Sequence, residues 1–181
     1  GVRFRLPASM NQVEYFGRGP AENYLDRNAG SMVGLYKSTA EELYFPYVRP
    51  QENGHHTDTR WVSLSTGKKC LLIQADNTIG FNALRNSIED FDDEEATGLS
   101  RQWSNFTPEQ VANHDEAAAK NVLRRQHHIN DITPCDFVEV CIDLKQQGVA
   151  GYDSWGSRPE PAYTLPANRE YNWGFTLIPL K

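Results

Sequence analysis

An all-β, mainly antiparallel domain is what this chain predicts, and three observations predict it. Residues 136–145 alternate, with Val138, Val140, Ile142 and Leu144 on one side and Phe137, Glu139, Cys141, Asp143 and Lys145 on the other. Residues 171–177 repeat the pattern, setting Tyr171, Trp173, Phe175 and Leu177 against Asn172, Gly174 and Thr176. Turn-forming clusters punctuate the chain, and only one stretch carries a convincing helix start.

Taken in order, Val13-Glu14-Tyr15-Phe16 reads as a strand ended by the turn signal Gly17-Arg18-Gly19-Pro20. Trp61 to Leu64, then Ser65-Thr66-Gly67-Lys68, then Cys70 to Ala75, reads as a hairpin. Thr107-Pro108-Glu109-Gln110 has the capping-box arrangement, Thr at N-cap and Pro at the first helical position, and predicts a short helical excursion towards Arg125. The strands 136–145 and 171–177 follow, each with one face turned to a core.

Composition bounds the function. The 181 residues suit one domain, and a globule of that length can bury roughly 70% of the surface its unfolded chain exposes. A net charge of −6 leaves no basic face for phosphates, which argues against nucleic acid and against an anionic membrane surface. No apolar run reaches the ~20 residues that span a bilayer, so the chain is read as soluble. Cys70, Cys135 and Cys141 lack metal-ligand spacing and are read as small buried hydrophobes.

A search for chemistry finds no nucleophile elbow, phosphate loop, His-Glu-x-x-His or Cys-x-x-Cys. The adjacent pairs His55-His56 and His127-His128 are poor metal clamps, because neighbouring strand residues face opposite sides; they are read as surface or loop histidines. The acidic run 89–95 lacks the spacing of a calcium loop and reads as a solvated loop. Asn105-Phe106-Thr107 matches a glycosylation sequon, but Thr107 serves better as the helix cap. What stands out is polar, aromatic-rich turn sequence at 17–27, 46–54 and 151–156. Such loops are either polar plugs that satisfy themselves or a surface for hydroxyl-rich ligands and a neighbouring domain, and the plug is the simpler reading.

Four segments, "VEYFGRGPAENYLDR" at 13–27, "LYFPYVRPQENGHHTDTRW" at 43–61, "FNALRNSIEDFD" at 81–92 and "VCIDLKQQGVAGYDSWG" at 140–156, occur in order along the chain. Together they resemble the C-terminal domain, the small-chain region, of LacZ-type β-galactosidases of glycoside hydrolase family 2. The resemblance implies an antiparallel β-supersandwich like that of galactose mutarotases. It also implies that residues 1–181 are a single such domain, truncated at its N-terminal side relative to the family's, with a sheet edge left open to association.

The resemblance further implies a non-catalytic part of a retaining β-galactosidase acting on terminal β-D-galactosides. The two glutamates, and the magnesium and sodium ligands, then belong to a TIM-barrel catalytic domain of the same polypeptide. The parent is expected to be homo-oligomeric, and cytoplasmic or periplasmic. The family position that carries a sugar-stacking tryptophan aligns with Glu139, an acid without an apolar face. Glu139, Tyr152 and Trp155 are therefore the substrate-binding candidates, with Trp155 equally suited to a core or interdomain anchor. In the loops, Pro46 and Pro50 are expected to stiffen the chain and Asn53-Gly54 to turn it. Glu52, Asn53 and Arg60 are expected to tie this loop to the Glu22-Asn23-Tyr24 turn or to the catalytic domain. Two other readings use the same fold. One is a stand-alone carbohydrate-binding module; the other is a mutarotase-like epimerase, for which His55 or His56 with Glu139 is the available acid–base pair.

Overall fold

A computed structural model describes residues 1–48, 50–91, 129–153 and 155–180. Seven strands form one antiparallel sheet: β1 (Val2–Pro7), β2 (Gln12–Gly19), β3 (Met32–Thr39), β4 (His56–Ser65), β5 (Cys70–Leu84), β6 (Phe137–Asp143) and β7 (Phe175–Leu180). The path is β1-β6-β5-β4-β2-β3, with β7 also paired to β5. Helical structure among the described residues is limited to short 3₁₀ turns, and no helix is long and apolar enough to cross a membrane. The predicted helix at 107–125 and the sequon at 105–107 lie outside the described residues.

The chain forms two compact units. The first comprises Gly1–Phe45, Asn53–Arg85 and Cys135–Lys181 and contains the whole sheet; the second comprises Pro46–Glu52 and Asn86–Pro134. In the second, Ser87 precedes a 3₁₀ turn at Ile88–Asp90 and donates its backbone N–H to Asp90 Oδ2 at 2.8 Å, and the Asn86 amide donates to the Thr133 carbonyl at 3.1 Å.

In the first unit, period-two burial builds the core. Val13 and Tyr15 from β2, Val62 and Leu64 from β4, Ile73, Phe81 and Ala83 from β5, and Val138, Val140 and Ile142 from β6 are all buried. Side chains meet across an intervening strand: Tyr15 of β2 packs edge-on against Phe81 of β5, with β4 between them and ring centroids 5.1 Å apart. Truncating either ring to Ala is a change of the size that removes about 3–5 kcal/mol in other cores.

The hairpin 61–75 forms with the turn closed by Thr66 N–H to the Lys69 carbonyl at 2.9 Å, and β6 alternates as its sequence reads. Two boundaries shift. Strand β2 runs through Gly17-Arg18-Gly19, where glycine is needed because Thr59 crowds the Gly17 backbone from β4. Strand β7 begins at Phe175, leaving Tyr171 and Trp173 ahead of it, and Leu177 on the expected core side is 48% exposed.

The reason for the second shift lies in β5. That strand pairs with β7 over Cys70–Ala75 and with β6 over Gly80–Leu84. Against β4, Thr59 pairs with Ile79 and Trp61 with Gln74, so one intervening residue on β4 faces four on β5, and β5 holds extra residues at the change of partner. A second irregularity in β4, between His56 and Thr59, contains Asp58, at φ 50°.

Candidate functional site

Within the first unit, the turn at residues 18–27 is hydrogen-bonded both to residues 54–57 and to residues 149–152. Asn23 is fully buried at the centre of the cluster. Its amide nitrogen donates to the carbonyls of Arg18 and Ala21, each at 3.1 Å, and its Oδ1 accepts from both the backbone N–H (3.0 Å) and the hydroxyl of Thr57. Its own backbone N–H bonds the His55 carbonyl at 2.7 Å. Every hydrogen-bonding group of this side chain is thus satisfied by protein, which is the condition for burying an amide at little cost.

Glu22 joins the same two loops. One carboxylate oxygen receives the Gly54 N–H at 2.7 Å and the Tyr24 hydroxyl at 3.3 Å, while the other pairs with Arg27 at 2.9 Å. Gly54 sits at φ 75°, and a side chain there would also collide with the Leu43 carbonyl and with Leu84, so the turn requires glycine. Asn53 accepts the Phe45 N–H on Oδ1 at 2.9 Å, and its carbonyl accepts from the Asn82 amide. Arg60 donates to the Asp58 carbonyl and lies over the Phe16 ring at 5.7 Å. Glu52 is exposed and falls in the second unit. The observed ties between the two loops therefore run through Gly54, His55 and Thr57 of the later loop and Glu22 and Asn23 of the earlier one.

The first histidine pair overturns its surface reading, since His55 and His56 are both fully buried, while His127-His128 lies outside the described residues. His55 Nδ1 lies 2.9 Å from Asn82 Oδ1, and its ring stacks on Tyr24 at 5.6 Å. His56 lies between the carbonyls of Gly54 (2.9 Å) and Pro20 (3.3 Å) and stacks on Phe81 at 5.1 Å. Burial pushes the His55 pKa down to about 4, outweighing the Asn82 hydrogen bond, and burial also lowers that of His56 against its two carbonyls. Both rings are neutral core members. The sequence signal that was missed is the flanking Gly54 and the Thr-Asp-Thr run, which marks a strand entering the interior.

Glu139 is 2% exposed and is held by Arg3 at 2.9 Å and Arg5 at 3.0 Å, both projecting from the neighbouring strand β1. Arg5 stands directly opposite Glu139 in the ladder and also lies over the Phe137 ring at 4.0 Å. Tyr152 and Trp155 belong to the loop after β6, where Asp26 anchors the chain by accepting the N–H groups of Val149 (3.0 Å) and Ala150 (2.8 Å) and the Tyr152 hydroxyl (3.4 Å). Trp155 is 93% exposed and so packs in no core of the described residues. The acid–base pair of an epimerase is not assembled: His55 turns to Asn82, Glu139 to the two arginines. The three cysteines are free and half-buried rather than buried.

Among the described residues no group of three or more His, Cys, Asp or Glu is placed to hold a metal ion. The described arrangement is an antiparallel β domain in which Glu22, Asn23, Asp26 and Asn53 each bond loop backbone groups. The chain belongs to the family described as the beta galactosidase small chain, whose model matches residues 1–177. It is similar to the beta-galactosidase of Priestia megaterium, 33% identical over 181 residues, which is 99% of this chain and 14% of that protein. It is also similar to those of Vibrio cholerae, at 28% over 98% of the chain and 14% of the relative, and of an Arthrobacter species, at 41% over 50% of the chain and 10% of the relative. The chain thus spans about 14% of the length of the curated relatives that it matches from end to end.

Proposed function

We propose that this chain is the non-catalytic C-terminal β-domain of a retaining β-galactosidase, completing and walling the cleft in which terminal β-D-galactosides are cleaved. The observation that carries the reading is the family match over residues 1–177 in relatives of which the chain is only a small part. Retaining hydrolysis needs one carboxylate to attack the anomeric carbon and a second to protonate the leaving oxygen and then activate water, about 5 Å apart. The chain's own buried acids are otherwise engaged: Glu22 with Arg27 and a backbone amide, Glu139 with two arginines. The catalytic pair belongs in this reading to a TIM-barrel domain of the same polypeptide, as do the magnesium and sodium sites. Metal there would supply charge stabilisation, and no residue described here takes part. The parent is a homo-oligomer in the same reading, and exposed apolar residues such as Leu35 and Met32 suit burial by other parts of such an assembly.

A chromogenic galactoside tests this directly. The 181-residue chain alone is expected to leave o-nitrophenyl β-D-galactoside intact while the full-length polypeptide cleaves it; cleavage by the chain unaided would overturn the proposal. In the full-length polypeptide, Asn53→Ala is expected to lower the melting temperature and to leave turnover per folded molecule unchanged, since the Asn53 side chain accepts the Phe45 N–H inside the loop.

A further inference from the structure

Asp26 stands in a turn that the fold around it holds still. Tyr24 and Arg27 close the turn by exchanging backbone hydrogen bonds at 3.3 and 2.8 Å, and the Tyr24 ring is buried against His55. From this fixed point the Asp26 carboxylate reaches Val149, 123 positions later in the chain. Oδ1 accepts the Val149 N–H at 3.0 Å, while Oδ2 accepts the Ala150 N–H at 2.8 Å and the Tyr152 hydroxyl at 3.4 Å. A carboxylate that takes two consecutive backbone amides, one on each oxygen, fixes both the place and the tilt of the peptide it holds.

The loop is shaped to receive that carboxylate. Residue 148 is glycine where a Cβ would lie 2.4 Å from Asp26 Oδ2, so the carboxylate occupies the room a side chain would take. Ala150 has φ 55°, a left-handed conformation that is unfavourable for alanine, and Gly151 follows at φ 82°. The bond from Oδ2 to the Ala150 N–H therefore holds the strained residue itself.

Beyond this anchor the loop closes on its own side chains. The Tyr152 N–H donates to Ser157 Oγ at 3.2 Å, and Asp153 Oδ1 accepts the N–H groups of Trp155 at 2.8 Å and of Ser157 at 3.3 Å. The Gly148 N–H bonds the Tyr163 carbonyl at 2.8 Å. The backbone at Trp155 is thus tied down, yet its indole is 93% exposed. A loop with this many bonds that turns so large an apolar ring outwards presents it to something beyond the described residues. We propose that Asp26 is a positioning residue, which through the amides of Val149 and Ala150 sets the loop that presents Trp155 to the galactoside cleft of the full-length polypeptide. The inference rests on the galactosidase reading above, with Trp155 as the group that meets substrate. Asp26 acts only through the loop, because both of its carboxylate oxygens are taken up by loop donors.

Hydrolysis of o-nitrophenyl β-D-galactoside by the full-length polypeptide tests this through KM, kcat and melting temperature. Trp155→Ala is expected to raise KM roughly tenfold with kcat much less changed, as loss of a contact made equally in ground and transition states does. Asp26→Ala is expected to raise KM by a similar factor, and Asp26→Asn, which keeps the shape and one acceptor, to move it in the same direction. The double variant Asp26→Ala with Trp155→Ala is expected to match Trp155→Ala alone, because a misplaced indole and a missing one cost the same contact. Asn53→Ala, which loosens a different loop, is expected to lower the melting temperature and leave KM as in wild type. The proposal is overturned if either single variant at Asp26 or Trp155 keeps the wild-type KM, if the two effects multiply in the double variant, or if Asn53→Ala raises KM as much as Asp26→Ala does. A wild type that turns over no galactoside would instead overturn the galactosidase reading, and this inference with it.

Discussion

At Asn23, one side chain closes four hydrogen bonds and the backbone closes a fifth, all with groups that would otherwise face each other unpaired in a dry interior. Asn23→Ala is expected to cost about 3 kcal/mol or more, because it strands the Thr57 amide and two carbonyls at once, and urea denaturation would read this. Asn23→Asp sets a carboxylate oxygen against the Arg18 and Ala21 carbonyls in a fully buried site and should be at least as destabilising at neutral pH. The buried histidines make a separate statement about pH. His55 has an ordinary pKa of 6.5 and a folded one of about 4, so the unfolded chain binds more protons between those values. Stability is then full above pH 6.5, declines as pH falls towards 4, and levels off below, with a total change on the order of 3 kcal/mol from His55 in that window. The lowered His56 pKa adds in the same direction. Calorimetric melting from pH 7 to 4 should show the decline, and a His55→Gln variant that still folds should show a shallower one.

At the scale of elements, period-two alternation made β6 and the β4–β5 hairpin legible, because a strand with one wet and one dry side writes its geometry into its sequence. The start of β7 was not legible. Residues 171–177 alternate as well as any strand, yet a sheet needs a partner as well as a pattern, and β5 leaves β7 beyond Ala75. The polar loops could be singled out by composition, whereas their bonding could not: nothing in Glu52-Asn53-Gly54 states that a backbone amide, and not a side chain, will reach Glu22. Glu139 shows a related limit. Alternation places it opposite the core valines, but its burial comes from Arg3 and Arg5, residues more than a hundred positions away. Replacing one partner of such a pair leaves charge uncompensated, so Glu139→Gln is expected to destabilise by about 2 kcal/mol. A double-mutant cycle with Arg5→Met should recover part of that loss, since it removes one of the two cations that lose their carboxylate while Arg3 remains.

For the molecule as a whole, the two long faces of the sheet are unequal. The inner face is closed by Val13, Tyr15, Val62, Leu64 and their neighbours, while on the other Phe16, Leu35 and Val33 remain 38%, 58% and 41% exposed. Phe16 and Leu35 stand directly opposite each other in the β2–β3 ladder, so this is a contiguous apolar strip rather than scattered residues. It includes β3, which ends the strand order and whose outer edge pairs with no other strand among the described residues, beside Met32, 70% exposed. An apolar strip along an open edge favours strand-to-strand association unless charge or other polypeptide covers it. The 181-residue chain by itself is therefore expected to self-associate as its concentration rises, seen as an increasing sedimentation coefficient. Val33→Lys with Leu35→Lys should suppress that association while lowering stability by no more than about 1 kcal/mol, since both side chains are exposed. If the double variant sediments as wild type does at every concentration, the strip is not what drives association.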